Sequence, residues 1–306
     1  MIVGFKTGPK TWAEGKAIAE EGQVGMCEVW FNIHDANAYS EIFDLLKQKN
    51  ISIGLHHWGT AEGKFKTNLS TDQRDIREET IHQIRETIDI GASIDCVYVN
   101  AHPGAQYVEE IDLATFEQHL VPSLHTEAAR AQNLLQSAAQ ELHEYAVAKG
   151  VLLTIETLPG REVASGKTRH LPYHPYNTSL SDIEALAAFG IAIANDITHA
   201  LSSLVAAYPD QAQQWEQFMK FSKAVAPQTR LLHINTIRPP FNGTDSHDGI
   251  TPEDFKAGVF PSREQIKQFL SLFVNRDDVF AVPEPRMGTM QANTQELRKI
   301  IQEHTP

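Results

Sequence analysis

Val151 to Thr157 reads VLLTIET, an apolar run of strand length that closes on a carboxylate, and its reading decides the fold. In an extended chain Val151, Leu153 and Ile155 share one face, and Leu152, Thr154 and Glu156 share the other. Seven comparable runs recur at Ile2–Phe5, Met26–Phe31, Ile51–His57, Cys96–His102, Ile191–Ile197, Leu231–Thr236 and Val279–Glu284. Most are rich in Val, Ile or Leu, as expected of parallel strands covered on both faces. Helical periodicity fills the intervals. Ile76, Ile81, Ile84 and Ile88 form one stripe, on a helix that starts near Ser70-Thr71-Asp72 and stops at Gly91. Leu124, Ala128, Leu135, Ala139, Leu142 and Ala146 form another, closed by Gly150. Strand–helix alternation repeated eight times predicts an α/β chain folded as a (β/α)8 TIM barrel. An open doubly wound sheet would carry a Gly-rich phosphate loop after its first strand, and GFKTGPKT at positions 4–11 lacks that spacing. No break in composition divides the chain, so residues 1–306 are read as a single domain.

The composition sets outer bounds. Hydrophobic residues make up 42% and charged residues 21% of 306, which excludes a disordered, collagenous or disulfide-scaffold protein. No apolar run approaches the roughly 20 residues of a membrane helix, and the N-terminal stretch lacks the features of a signal peptide. Cys27 and Cys96 lie in strand-like runs and read as buried thiols of a cytoplasmic chain. A net charge of −13 argues against general coating of nucleic acid or membrane, while leaving room for a local basic rim.

Polar residues gather at the strand ends. The third strand carries His56, the fourth ends in His102, the fifth carries Glu156, the sixth Asp196, the seventh His233, and the eighth ends in Glu284. In this fold the C-terminal strand ends line the mouth where active sites lie. Parity puts Tyr98 and Asn100 beneath His102, Leu152 and Thr154 beneath Glu156, and Ala192 and Ala194 beneath Asp196. It turns Val97, Val99, Ile191 and Ile193 toward the helices. The same parity selects His56, with Ser52 and Gly54, for the mouth and leaves its neighbour His57 outside. His199 follows Asp196 by three residues, and Asp245 and His247 form a second pair in the loop after the seventh strand. Carboxylates with imidazoles suit Zn²⁺, Mn²⁺ or Fe²⁺, and the set exceeds what one ion can use. Singly, each residue reads more simply as a hydrogen-bonded or capping group. Converging on one mouth, the carboxylates would be costly to bury without cations. His82, His119, His125 and His143 fall on helical segments and are assigned no role.

The pieces GLHH, VNAHPG, TIET, NDITH, LHIN, DSHDGI and VPEPR resemble the xylose isomerase-like TIM barrels, and within them the endonuclease IV group (AP endonuclease family 2). The resemblance runs from the third strand to the eighth. It implies three metal ions: one on His56, His102 and Glu156; a second on Glu156, Asp196, His233 and Glu284; a third on His199, Asp245 and His247. The chain departs from that group at Asn235-Thr236, after the DSH segment, and in the longer loop from Leu158 to Ser179.

Two activities follow. One is a phosphoester hydrolase, in which a metal-bound hydroxide attacks phosphorus, with abasic DNA as a candidate substrate. The alternative is a sugar or sugar-phosphate isomerase or epimerase that uses only the Glu156/Asp196/His233/Glu284 site, with carboxylates moving protons. Glu156 and Glu284 are the candidate catalytic residues, and two or three divalent ions the expected cofactors. Arg161, Lys167 and Arg169, with His170, Tyr173 and Tyr176, lie in the loop that leaves the strand of Glu156. The basic residues of this loop, with Arg238 and with Lys64 and Lys66, are the candidate phosphate contacts, and the tyrosine rings could stack on a base or sugar.

Overall fold

Every apolar run read from the sequence becomes a barrel strand. The computed structural model describes all residues except 116, 161–176, 287 and 304–306. Its strands are β1 (Ile2–Thr7), β2 (Met26–Asn32), β3 (Ser52–Trp58), β4 (Thr60–Ala61), β5 (Phe65–Lys66), β6 (Tyr98–Ala101), β7 (Tyr107–Ile111), β8 (Gln118–His125), β9 (Leu152–Glu156), β10 (Ala192–Asp196), β11 (Thr229–Ile234) and β12 (Phe280–Pro283). Eight of them close a parallel barrel in the order β1-β12-β11-β10-β9-β6-β3-β2, a single α/β TIM barrel. The main helices between them are α1 (Trp12–Glu21), α2 (Ser40–Gln48), α3 (Arg74–Ser93), α4 (Ala128–Lys149), α5 (Leu180–Ala188), α6 (Ile197–Leu204), α7 (Gln211–Val225), α8 (Pro252–Lys256), α9 (Arg263–Leu270) and α10 (Met290–Gln302).

Two cores follow from strand parity. Outward residues such as Ile53, Leu55, Val99, Leu153, Ile155, Ile191 and Ile193 pack under the helices against Leu135, Leu142, Phe218 and Ile300. A separate cluster of Met26, Tyr98, Ala194, Leu231, Phe280 and Val282 is buried in the barrel interior, below the polar mouth. Val97, expected to face the helices, packs against this inner cluster beside its neighbour Tyr98 instead, so the two-residue alternation does not extend below the first residue of β6. Gly54 has a specific purpose here. A Cβ at that position would lie 2.3 Å from Cζ of Tyr98, so only glycine lets the Tyr98 ring cross beneath the mouth.

A larger departure from the sequence reading lies outside the barrel. The segments after β3 and β6 form a four-stranded antiparallel sheet, ordered β4-β5-β7-β8. His119, Leu124 and His125, expected on helices, lie in β8, and α4 starts only at Ala128. The run QHLVPSLH is largely half-exposed with no clear two-residue alternation, so its strand signal is weak. Pro122 is accommodated because β8 is an edge strand. His82 and His143 do lie on helices, α3 and α4. Among the described residues no helix is long and apolar enough to cross a membrane.

Candidate metal centre

The strand ends bring the expected residues together around Glu156, the last residue of β9, which is fully buried. Glu156 Oε2 lies 3.6 Å from His56 Nε2 and 3.5 Å from His102 Nε2. Its other oxygen lies 3.0 Å from His233 Nδ1 and 3.2 Å from His199 Nδ1. Asn100, directly beneath, donates to Glu156 Oε2 at 2.5 Å and accepts from the Thr154 hydroxyl at 2.9 Å, which fixes the carboxylate's orientation.

Donor atoms converge in four groups among the described residues; Glu28, His56 and His233 form one that the sequence reading did not contain, and the other three match the sequence-based sets. Of those three, His56, His102 and Glu156 form one; Glu156, Asp196, His233 and Glu284 a second; His199, Asp245 and His247 a third. Within each, one donor atom per residue lies within 4.8 Å of the others. Asp196 ends β10 and caps α6, accepting from the His199 N–H at 2.9 Å, so one short segment positions both side chains. The His199 Nδ1 donates to the Thr157 carbonyl at 2.7 Å, since a carbonyl can only accept, and this directs Nε2 toward Asp245, 3.3 Å away. His247 is held in the same manner: its Nδ1 faces the Glu284 carbonyl at 3.1 Å and its Nε2 lies 2.5 Å from Asp245. His247 adopts a positive φ of 44°, an uncommon conformation for a non-glycine residue and one that concentrates at functional sites.

His57 confirms the parity argument from the other side. It points away from the mouth, and its Nδ1 lies 2.8 Å from Thr87 on α3. Burial pushes its imidazole down to about 3, so it stays neutral.

The electrostatics are those of a site crowded with opposite charges. Burial alone would raise Glu156, but His233 and His56 hold it well below the usual carboxylate range. Burial works against protonation of His199 and His233, yet carboxylates around them, Asp196 for the first and Glu28 and Glu156 for the second, push both well above an ordinary histidine. His247 rises to about 9 against the same opposition from burial, through Asp245. Burial is the largest influence on Asp196 and raises it. Without metal, protons on imidazoles balance the carboxylates; divalent cations would replace them.

Two residues of the mouth were missed by sequence reasoning. Glu28 of β2 is fully buried and lies 3.0 Å from His233 Nε2 and 3.3 Å from His56 Nδ1. Lys6 of β1 places Nζ 2.5 Å from Glu284 Oε1 and 3.1 Å from Glu28 Oε1. The signal was present. Glu28 is the one charged residue in the run MCEVWF and shares a face with Met26, while Lys6 directly follows the apolar run Ile2–Phe5.

The expected phosphate contacts are less gathered. Arg238 makes a bidentate ion pair with Asp248, through Nε at 2.8 Å and through Nη2. It thereby braces the loop of Asp245 and His247, with its own N–H on Ser246 Oγ at 3.1 Å. Lys64 pairs with Glu110 at 3.6 Å and Lys66 with Glu109 at 3.0 Å, both on the antiparallel sheet. Arg161, Lys167, Arg169, His170, Tyr173 and Tyr176 lie outside the described residues.

Comparison with known proteins agrees with the fold. A family model described as xylose isomerase-like TIM barrel matches residues 17–267. A curated relative, the probable endonuclease 4 of Natronomonas pharaonis, is 27% identical over 141 residues, which span 46% of this chain and 42% of that protein. Among solved structures, a D-tagatose 3-epimerase-like protein superposes with a TM-score of 0.63 at 15% identity, over 99% of this chain and 97% of the other. Endonuclease IV from Thermus thermophilus superposes with a TM-score of 0.56 at 13% identity, over 99% and 100%. At such identities the superpositions show the shared fold.

Proposed function

The chain belongs to the xylose isomerase-like TIM barrel family, and on that premise we propose that it is a divalent-metal-dependent phosphoester hydrolase with two or three Zn²⁺ or Mn²⁺ ions. The observation that carries the reading is the convergence of three donor groups on one mouth, two of them joined by Glu156. The donors fit such ions in kind, being imidazoles and carboxylates with no thiolate. Two of these atoms, His102 Nε2 and Glu284 Oε2, are also buried with no hydrogen-bond partner among the described residues. Bound ions would supply Lewis-acid charge for a phosphoryl oxygen and a nucleophile at neutral pH.

The chain's own residues supply the rest. Glu156 ties the first group to the second, so that substrate bound at one is held beside the other. His199 and His247 keep their Nε2 atoms directed at Asp245 through carbonyl contacts on Nδ1. Asn100 and Thr154 hold Glu156 still, and the inner apolar cluster below it keeps water from the barrel floor. Arg238 and the loop of Arg161, Lys167 and Arg169 would face the anionic substrate, offsetting locally a net charge of −13. Abasic DNA is the candidate polymer, and a sugar phosphate the candidate small molecule.

A second reading has one observation of its own. Glu156, Asp196, His233 and Glu284 form a complete donor group without the other two. In a sugar isomerase or epimerase that group would bind one ion, with Glu156 and Glu284 exchanging protons with the substrate carbon. The two readings separate when metal-loaded protein is given an abasic-site duplex, simple phosphate esters and a panel of ketoses. Phosphoester cleavage supports the hydrolase; epimerised ketose with intact esters overturns it.

A further inference from the structure

We infer that Glu28 is a positioning residue shared by two metal sites: one carboxylate, behind His56 and His233, selects which nitrogen of each ring faces the ions, and Lys6 opposes it at His56. The inference rests on the metal-binding part of the proposed function and on nothing about the substrate.

The geometry is a sandwich. The His56 and His233 rings lie nearly parallel, at 5° with centroids 5.6 Å apart. Both hang between two carboxylates. In front, Glu156 faces His56 Nε2 and His233 Nδ1. Behind, Glu28 Oε1 lies 3.3 Å from His56 Nδ1 and 3.0 Å from His233 Nε2, and Glu28 Oε2 lies 3.1 Å from the latter. A carboxylate can only accept, so a rear nitrogen that bonds to Glu28 carries a proton, and it keeps that proton when a cation displaces the one on the front nitrogen. Such carboxylate–imidazole–metal relays fix ligand tautomers and raise ligand basicity. Here one carboxylate would serve two ions. Glu28 is itself held, by the Tyr98 hydroxyl at 2.9 Å, and Tyr98 has room only because residue 54 is glycine.

Lys6 acts in the opposite sense. Its Nζ lies 2.8 Å from His56 Nδ1, the same nitrogen that faces Glu28. An ammonium has only hydrogens to offer, so while it faces Nδ1 that nitrogen accepts and the ring proton sits on Nε2, where the ion would bind. Lys6 also donates to Glu28 and Glu284, drawing acceptor strength from one rear carboxylate and one proposed ligand. His233 makes no such contact with Lys6 among those the described residues show. Removing Lys6 therefore favours metal binding, while removing the Glu28 charge disfavours it.

That difference in sign is the test. Metal affinity is measured by competition with a chelator for Zn²⁺, and coordination by the visible absorption of the Co²⁺-substituted protein, with thermal unfolding of metal-free protein as a control. Glu28→Gln should weaken binding about 10–100-fold and alter the Co²⁺ spectrum. Lys6→Met should bind metal at least as tightly as the parent. If Glu28→Gln alone does not fold, the double variant Lys6→Met/Glu28→Gln, which removes both halves of the buried ion pair, should still bind about 10–100-fold more weakly than Lys6→Met. Parental affinity and spectrum in Glu28→Gln would overturn the inference. So would equal weakening by both single variants in step with lost thermal stability, which is the pattern of a merely structural pair. A protein that shows the opposed effects yet cleaves no phosphoester would refute the hydrolase and leave this inference standing.

Discussion

His233 Nδ1 lies 3.0 Å from Glu156 Oε1, so a β11 imidazole and a β9 carboxylate meet across the barrel mouth although β10 separates their strands. Through this contact Glu156 belongs at once to the His102 side of the mouth and to the Glu284 side. The bridging position makes the centre a single unit.

Glu156→Gln is accordingly the most damaging single change expected. The amide keeps the shape but cannot neutralise two cations, and it places a donor where both groups need an acceptor. Bound metal should fall by more than one ion, with affinity reduced beyond the roughly 10–100-fold typical of changes to outer partners. Elemental analysis after dialysis checks this, and parental metal content would count against the bridge.

His247→Ala separates the groups. It should remove one ion and lower phosphoesterase turnover on the order of 10²-fold, the scale of one lost electrostatic stabiliser. The Glu156/Asp196/His233/Glu284 group should still bind metal. In an isomerase the same change would leave turnover nearly intact, so assaying both activities in this variant discriminates the readings.

The metal-free protein should show a stability window set by the mouth. His247, raised to about 9, contributes stability that is complete below its ordinary value near 6.5 and is lost as pH rises through about 9. His199 and His233 shift in the same direction. Glu284, lowered to about 2 by Lys6 and His233 despite burial, contributes stability present above about 4.5 and lost as pH falls through about 2. For these groups the optimum lies between roughly pH 4.5 and 6.5. Metal should bind more tightly as pH rises, because the imidazole protons must leave. Denaturant unfolding with and without Zn²⁺ across pH 4–9 measures both effects; an apo stability that climbs through pH 9 would contradict the assignment.

Replacing Arg161, Lys167 and Arg169 together by Ala should weaken phosphorylated ligands while leaving metal content unchanged. With a duplex substrate, log affinity against log salt should be steep, and the triple variant should flatten its slope by up to about 3. With a small sugar phosphate the dependence should be shallow from the start. Parental affinity for every phosphorylated ligand tested would leave this loop without a role in binding.

The barrel was legible because buried parallel strands write themselves as short apolar runs, and strand parity then separated His56 from His57 without further information. His56, His102, Glu156, Asp196, His233 and Glu284 were legible because they sit at strand ends, where a polar residue interrupts an apolar pattern, and His199, Asp245 and His247 because carboxylate and imidazole are closely spaced in the segments that follow. Glu28 and Lys6 were not legible in the same way: Glu28 lies in the middle of an apolar strand rather than at its end, and Lys6 directly follows the apolar run of β1, where a lysine reads as an ordinary solvated charge. The antiparallel sheet was missed for a different reason. β4 and β5 are two residues each, and β8 is a half-exposed edge strand, so the periodicity that reveals buried elements was absent.

The central claim is a multinuclear centre built on Glu156, and metal stoichiometry tests it most directly. Purified chain, stripped with chelator and reconstituted with Zn²⁺ or Mn²⁺, should carry two or three ions per molecule by elemental analysis. One ion or none, after reconstitution with either metal, would contradict the account.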